Sequence, residues 1–232
     1  PYEWYQNHKV RKYGFHGTSH QFVSGRVAEI LGKQDCRVIV AHIGNGASLS
    51  AVKSGKSINT TMGLTPLDGL PMGTRSGAID PAILGYIANK ENLSLDQVIE
   101  ILNKKSGYLG VSGLSNDSRD LEDAIKQGHK RAKLAIDLQV KSIVNTIAAY
   151  YVELGGLDAL CFTAGIGENA SDFRAQIVSG LEPLGIKLNL EENSKRGERL
   201  ISSEDSKVKV FIIPTNEELV IARDVIRKAF NN

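Results

Sequence analysis

Two apolar runs in this chain each end on a glycine bend, and the chain leaves the two bends in different ways. Val38-Ile39-Val40-Ala41-His42-Ile43 reads as a strand, Gly44-Asn45-Gly46 as a tight turn taking positive φ, and Ala47 to Lys53 as a strand returning beside it. Ser54-Gly55 is a second turn signal before Ser57 to Thr61, so three antiparallel strands are expected in sequence, a meander. The second run, Leu157 to Thr163, passes through a glycine turn into a helix from Asp172 to Leu181. A weak strand or loop, a strand from Val208 to Pro214 and a helix from Asn216 to Phe230 complete the chain. A strand that hands over to a helix before the next strand implies parallel pairing. Both habits in one chain predict an α/β fold around a mixed sheet.

Helices fill the rest. Residues 19–31 place Phe22, Val23, Val27, Ile30 and Leu31 on one face, with Thr18 or Ser19 as N-cap and Gly32 as the stop. Residues 62–80 are glycine-rich, hold Pro66 and Pro71 and lack an apolar period, so they read as a long irregular segment of the kind that carries function. Asp80-Pro81 opens a helix, Ser94-x-x-Gln97 is a capping box for another, and a short one runs from Arg119 to Lys126. The stripe Leu134, Leu138, Val140, Ile143, Val144, Ile147, Tyr151 and Leu154 marks a long central helix ending at Gly155-Gly156. No repeat or linker divides the chain, which predicts a single mixed-sheet domain.

Composition removes several functional classes. Lys and Arg number 28 against 26 Asp and Glu, a formal charge of +2 that favours neither a nucleic-acid nor a membrane partner. No apolar run approaches the ~18 residues of a membrane span, and the start has no secretory pattern, so a cytoplasmic protein is expected. Cys36 and Cys161 sit in apolar, strand-like settings and read as buried, reduced thiols.

Several segments could carry chemistry. Gly44-Asn45-Gly46 satisfies a hairpin turn, and the same small residues let backbone N–H groups approach a phosphate, with Ser48 and Ser50 adding hydroxyls. Thr163-Ala164-Gly165-Ile166-Gly167-Glu168-Asn169-Ala170 places a helix N-terminus beside an anion and suits a nucleotide. It also fits the looser dinucleotide pattern Gly-x-Gly-x-x-Ala, with Glu191 where a ribose-binding acid would sit, which keeps a nicotinamide oxidoreductase open as a rival. Gly55-Lys56-Ser57 mimics the end of a P-loop but lies in a hairpin. Arg75, flanked by small residues, suits charge spread over phosphoryl oxygens; the alternative is a surface Arg on a turn. His16, His20 and His42 make a three-His metal site conceivable without supporting spacing; an imidazole bonding a phosphoryl oxygen and, for His20, an ordinary satisfied histidine are the competing readings. Thr215 and Glu218 form a capping box that leaves Glu217 for the helix dipole or for Mg²⁺ held through water.

Six ordered segments together resemble the acetate kinase family, within the larger group of sugar kinases, heat-shock ATPases and actin. They are Tyr13 to His20, His42 to Ser48, Met72 to Gly77, Ser115 to Arg119, Phe162 to Asn169 and Pro214 to Glu218. The resemblance implies a ribonuclease-H-like (actin-like ATPase) domain and reversible, ATP-dependent phosphorylation of acetate to acetyl phosphate with Mg²⁺, by a homodimer. By matching motif it implies that His42, Ile43, Gly44, Asn45 and Gly46 line the phosphates. Asp117, Ser118 and Arg119, with Gly165, Ile166, Gly167, Glu168 and Asn169, would hold the adenosine. Glu217 would serve the metal, His16 and Arg75 the transferring phosphoryl group, and Phe15 and Pro66 the carboxylic acid.

The same resemblance implies a second, N-terminal domain supplying an Asn, an Arg and an Asp, which has no counterpart in these 232 residues. Residues 1–232 are therefore expected to be the C-terminal, nucleotide-binding domain, with little turnover by itself. A propionate or other short-chain carboxylate kinase and a catalytically silent nucleotide-binding module remain alternatives.

Overall fold

The computed structural model describes residues 1–230. In chain order they form α1 (Tyr2–His8), α2 (Gly17–Leu31), β1 (Arg37–Ile43), β2 (Ala47–Lys53), β3 (Lys56–Thr60), α3 (Ala82–Glu91), α4 (Leu95–Lys104), α5 (Gly107–Ser112), α6 (Ser118–Lys126) and α7 (Lys130–Leu154). Then come β4 (Ala159–Thr163), α8 (Ala164–Asn169), α9 (Ser171–Ser179), a 3₁₀ turn at Glu182–Leu184, α10 (Leu190–Ser194), β5 (Arg199–Leu200), β6 (Lys209–Ile212) and α11 (Glu217–Phe230). The chain divides into two compact units: one of Phe15–Gly44, Ser48–Thr60 and the described residues from Val144 onward, the other of Pro1–Gly14, Asn45–Ala47 and Thr61–Ile143. The long helical segment after β3 makes most of its contacts within its own unit.

The first unit is built on a six-stranded sheet in the order β3-β2-β1-β4-β6-β5. β2 and β3 pair antiparallel around the Ser54-Gly55 turn, β1 pairs parallel with β4, and β4 pairs parallel with β6, as the two kinds of connection require. β1 reads as an unbroken apolar run because both of its faces are covered: Val38, Ile39, Val40, Ala41 and Ile43 are fully buried. On one face Val38, Val40, Cys161, Phe211 and Ile213 pack with Val23 and Val27 of α2. Each such side chain contributes roughly 1.5–3 kcal/mol by leaving water. Cys36 and Cys161 are free and buried, as expected. At the entry of the strands the Asp158 carboxylate accepts from Arg37 N at 2.7 Å, Arg37 Nε at 3.1 Å and Lys33 Nζ at 3.2 Å, which pins β4 to β1 and holds that carboxyl well below the usual range.

The second unit is helical around the irregular segment 62–80, which has order without regular structure. Met72 N donates to Arg75 O at 3.0 Å, Tyr108 N to Met72 O at 2.8 Å, and Ser106 N to Thr74 O at 2.9 Å. Gly77 takes φ +71°, and a Cβ there would lie 2.5 Å from Gly69 O, so no other residue fits. The buried Tyr108 hydroxyl donates to Gln139 Oε1, and Gln139 Nε2 to Pro71 O at 2.6 Å. The Ser94–Gln97 capping box is present in both directions.

Several local expectations change. α2 starts at Gly17 behind His16, which takes φ +58°, because the Thr18 and Ser19 hydroxyls are engaged elsewhere. α11 is capped by Asn216, whose Oδ1 accepts from Leu219 N at 3.0 Å, and not by Thr215. The glycine turn after β4 is the short helix α8, entered through Ala164 at φ +65°. Gly44, Asn45 and Gly46 are not among the positive-φ residues; side-chain and backbone bonds of Asn45 shape that loop instead. α1 and α5 were not anticipated, and residues 186–190 give only an isolated bridge at Leu188 before α10.

Candidate functional site

In the sheet unit the carboxyl ends of β1, β4 and β6 lie level, with His42 opposite Thr163 and Phe162 opposite Ile212. That edge of an α/β sheet is where ligands bind, because the loops leaving it are free to specialise. The His16 and His42 rings stack there at 4.0 Å between centroids, 16° from parallel, and His20 meets both edge-on. Ser48 Oγ lies 2.9 Å from His16 Nδ1 and 2.7 Å from His20 Nε2; Ser19 Oγ lies 2.8 Å from His42 Nδ1. Burial, with neighbouring imidazoles adding to it, pushes His20 down to about 3 and His42 to about 4, so both rings are neutral at physiological pH. His20 differs from an ordinary satisfied histidine: its Nδ1 is buried without a partner. Ser50 bonds Ser57 Oγ and Asn59 O and is taken up by the sheet.

The Glu217 carboxylate at the start of α11 accepts from the Thr18 hydroxyl, joining residues 199 positions apart. Beside it in sequence, Thr215 Oγ1 is buried without a partner, as is Thr163 Oγ1 at the end of β4. The bend that follows Thr163 is tied to itself: Ala164 N donates to Glu168 Oε1 at 2.9 Å and Asn169 Nδ2 to Gly165 O at 2.8 Å. Gly167 packs on β1, where a Cβ would meet Ala41 O at 3.5 Å and Ile43 N at 3.8 Å. Below the bend lies a residue that sequence reasoning missed. Arg174 is buried and donates from Nη1 to Gly167 O at 3.0 Å, from Nε to Asn193 Oδ1 at 2.8 Å and from Nη2 to Asn193 O at 2.5 Å. Burial lowers its guanidinium to about 10, and it leaves a cation under a candidate anion site. The signal was available, since Arg174 shares the apolar face of α9 with Ile177 and Val178.

In the helical unit, Arg75 Nη1 lies 3.3 Å from Pro66 O and 3.5 Å from Met72 Sδ, which brings together the predicted phosphoryl and carboxylate residues of that unit. Asn45 O accepts from Gly73 N at 3.2 Å, Asn45 Oδ1 accepts from Asn116 Nδ2 at 3.2 Å, and a Cβ on Gly73 would collide with that same oxygen. Asp117 caps α6 through Arg119 N at 2.9 Å and pairs with the Arg119 guanidinium at 2.5 Å, which pulls its carboxyl down to about 2. Ser118 is buried and Arg119 projects into solvent.

A family model described as the acetokinase family matches residues 1–223. The chain belongs to that family. The acetate kinase of Acholeplasma laidlawii is 61% identical over 227 residues, 98% of this chain and 58% of that protein. The acetate kinase of Finegoldia magna is 52% identical over 229 residues, 99% of this chain and 58% of that one. Among solved structures, Porphyromonas gingivalis acetate kinase superposes with a TM-score of 0.94 at 47% identity, and a propionate kinase from Francisella tularensis with 0.92 at 48%; each match covers 97% of this chain and 58% of the other. The chain thus spans a little over half the length of the relatives it matches.

The acetokinase assignment and the geometry together dispose of the dinucleotide reading. Glu191 sits in the first turn of α10 and accepts from Lys195 Nζ at 2.9 Å, and no second strand presents it to a ribose. A three-His metal site is equally unsupported: among the described residues no group of three or more His, Cys, Asp or Glu side chains is arranged to hold an ion. A single carboxylate, Glu217, two residues after the orphan hydroxyl of Thr215, suits Mg²⁺, which keeps most of its waters and takes one or two carboxylates plus phosphate oxygens. No described helix is long and apolar enough to cross a membrane.

Proposed function

We propose that this acetokinase chain is the nucleotide-binding domain of an enzyme that transfers the γ-phosphoryl group of ATP to acetate, reversibly and without a phosphoenzyme. A carboxylate oxygen of acetate attacks phosphorus as the bond to the ADP oxygen breaks in line. The chemistry asks for alignment and charge stabilisation, with no covalent help from a side chain. The observation that carries the reading is the level edge of β1, β4 and β6, which gathers His42, the bend 164–169 and Glu217 in one unit.

Each residue has a part. Amides near Gly44, Asn45 and Gly46, with His42 and Ile43, line the phosphates. The bend from Gly165 to Asn169 and the Asp117–Ser118–Arg119 turn hold the adenosine. His16 and Arg75 neutralise charge on the phosphoryl oxygens; Phe15 and Pro66 border the carboxylic acid. Glu217 would hold Mg²⁺ through water, and the ion, when bound, would neutralise the phosphates. The domain works within a longer, cytoplasmic, homodimeric protein, and residues outside this chain complete the catalytic set.

Trapping acetyl phosphate as its hydroxamate from full-length protein, ATP, acetate and Mg²⁺ tests the reading, with little product expected from the 232-residue chain alone. Arg75→Ala in the full-length protein should lower kcat at least ~100-fold while ATP still binds. Unchanged turnover would remove Arg75 from the chemistry, and no turnover in the unsubstituted protein would leave a silent nucleotide module. The likeness to a propionate kinase supports a second substrate, and the ratio of kcat/KM for acetate and propionate decides between them.

A further inference from the structure

We propose that Ser48 and His20 are positioning residues that fix His16 as the neutral tautomer with its proton on Nε2, a ready donor to a phosphoryl oxygen. The inference starts from proton counting. Ser48 Oγ is in hydrogen-bond contact with His16 Nδ1 at 2.9 Å and with His20 Nε2 at 2.7 Å. A serine hydroxyl has one proton and two lone pairs; if both rings donated to Ser48, its own proton, in a fully buried residue, would have no acceptor, so it accepts from one ring and donates to the other. In one arrangement His16 Nδ1–H donates to Ser48, Ser48 donates to His20 Nε2, and the proton of His20 must sit on Nδ1. That nitrogen is buried and partnerless in a residue 5% exposed, so this arrangement strands an N–H in the interior. In the other, His20 Nε2–H donates to Ser48, Ser48 donates to the His16 Nδ1 lone pair, and His20 Nδ1 keeps only a lone pair. Stranded buried N–H groups are the rarer defect, which selects the second arrangement.

Two further observations agree. Burial pushes the His20 imidazole down to about 3, so the cationic ring that would donate from both nitrogens is excluded at neutral pH. His16 also precedes the first residue of the 15-residue helix α2, and Nδ1 is the ring nitrogen nearer the backbone. The positive end of a helix favours a lone pair there over an N–H. With Nδ1 occupied by the serine, the His16 proton lies on Nε2 and no net charge is needed to make it a donor.

The consequence for turnover rests on the kinase reading; the tautomer does not, and the experiment separates them. Full-length protein carrying isotope-labelled histidine is studied by NMR that distinguishes protonated from bare ring nitrogens, with His16 assigned from a His16→Gln spectrum. A single His16 form with Nε2–H is expected. In Ser48→Ala a second form protonated on Nδ1 should appear and kcat should fall about 10-fold, with KM for acetate little changed. Ser48→Thr should restore both. His20→Gln, whose amide nitrogen donates from nearly the same place, should keep the Nε2–H form. A proton on His16 Nδ1 in the unsubstituted protein overturns the proposal without recourse to any variant, and so does a Ser48→Ala spectrum identical to the parent's. If the tautomer behaves as expected in a protein without turnover, the positioning role stands and the kinase reading falls.

Discussion

The sheet unit and the helical unit achieve order in different ways. In the first, parallel strands bury both faces, and Ser19, His20, His42 and Ser48 are buried at one edge, where the serine hydroxyls bond the rings. In the second, segment 62–80 is held by backbone bonds to Met72, Thr74 and Arg75, with glycines where two backbone segments touch. One unit should therefore fail through lost volume and the other through added volume.

Paired substitutions break or sharpen that contrast. Phe162→Ala, at a fully buried position in β4, should cost about 4 kcal/mol in urea-induced unfolding of the full-length protein. Gly77→Val should cost about 3 kcal/mol or more, since it combines unfavourable φ with a Cβ 2.5 Å from a carbonyl oxygen. If Gly77→Val were neutral while Phe162→Ala was costly, segment 62–80 would be pliable and the two units would not differ in this way.

Acidification probes the sheet unit more gently. His20 and His42 take a proton near 6.5 when unfolded but only near 3 and 4 when folded. Between those values the unfolded chain binds more protons, so stability is intact above pH 6.5 and declines as pH falls toward 4, by about 1.4 kcal/mol per pH unit for each ring that titrates. The depressed carboxyls of Asp117 and Asp158 respond only below that window, near pH 4 and lower. Unfolding measured at successive pH values should show the slope, and His20→Gln should reduce it. A flat profile from pH 7 to 5 would mean that the rings protonate in place.

The same contrast explains what was legible in the sequence. β1, the meander, the Ser94 cap and the length of α7 follow from local pattern, because each is set by neighbours in the chain. The N-cap of α2 differs from the local pattern because the Thr18 and Ser19 hydroxyls bond Glu217 and His42, partners no local rule supplies, and that of α11 because Asn216, one residue after Thr215, presents its own oxygen to Leu219 N. Arg174 is not legible from composition, because an arginine on a helix is ordinarily solvated; its spacing with Ile177 and Val178 puts it on the apolar face of α9. The site residues came from motifs, and the bond joining Thr18 to Glu217 was invisible until the fold brought both ends together.

Smaller effects belong to the helical unit. Ser94→Ala removes one half of a reciprocal cap and should cost about 1 kcal/mol, with the loss confined to hydrogen exchange in α4. Exchange that quickened equally throughout the protein would show that α4 unfolds only with the whole.

Arg119 gives the smallest expected change in stability and the most informative one. Its side chain is 85% exposed and its pairing with Asp117 is a surface ion pair, so Arg119→Ala should alter unfolding by less than about 0.5 kcal/mol. Asp117 still accepts the Arg119 backbone N–H, and the cap of α6 survives the substitution. An arginine that contributes so little to folding yet is held in a fixed pose by its neighbour is free to meet a ligand. Calorimetric titration of full-length Arg119→Ala with ATP should therefore show affinity reduced about 10-fold against near-parental stability. Unchanged affinity would assign Asp117 and Arg119 to the capping of α6 alone and remove that turn from the nucleotide site.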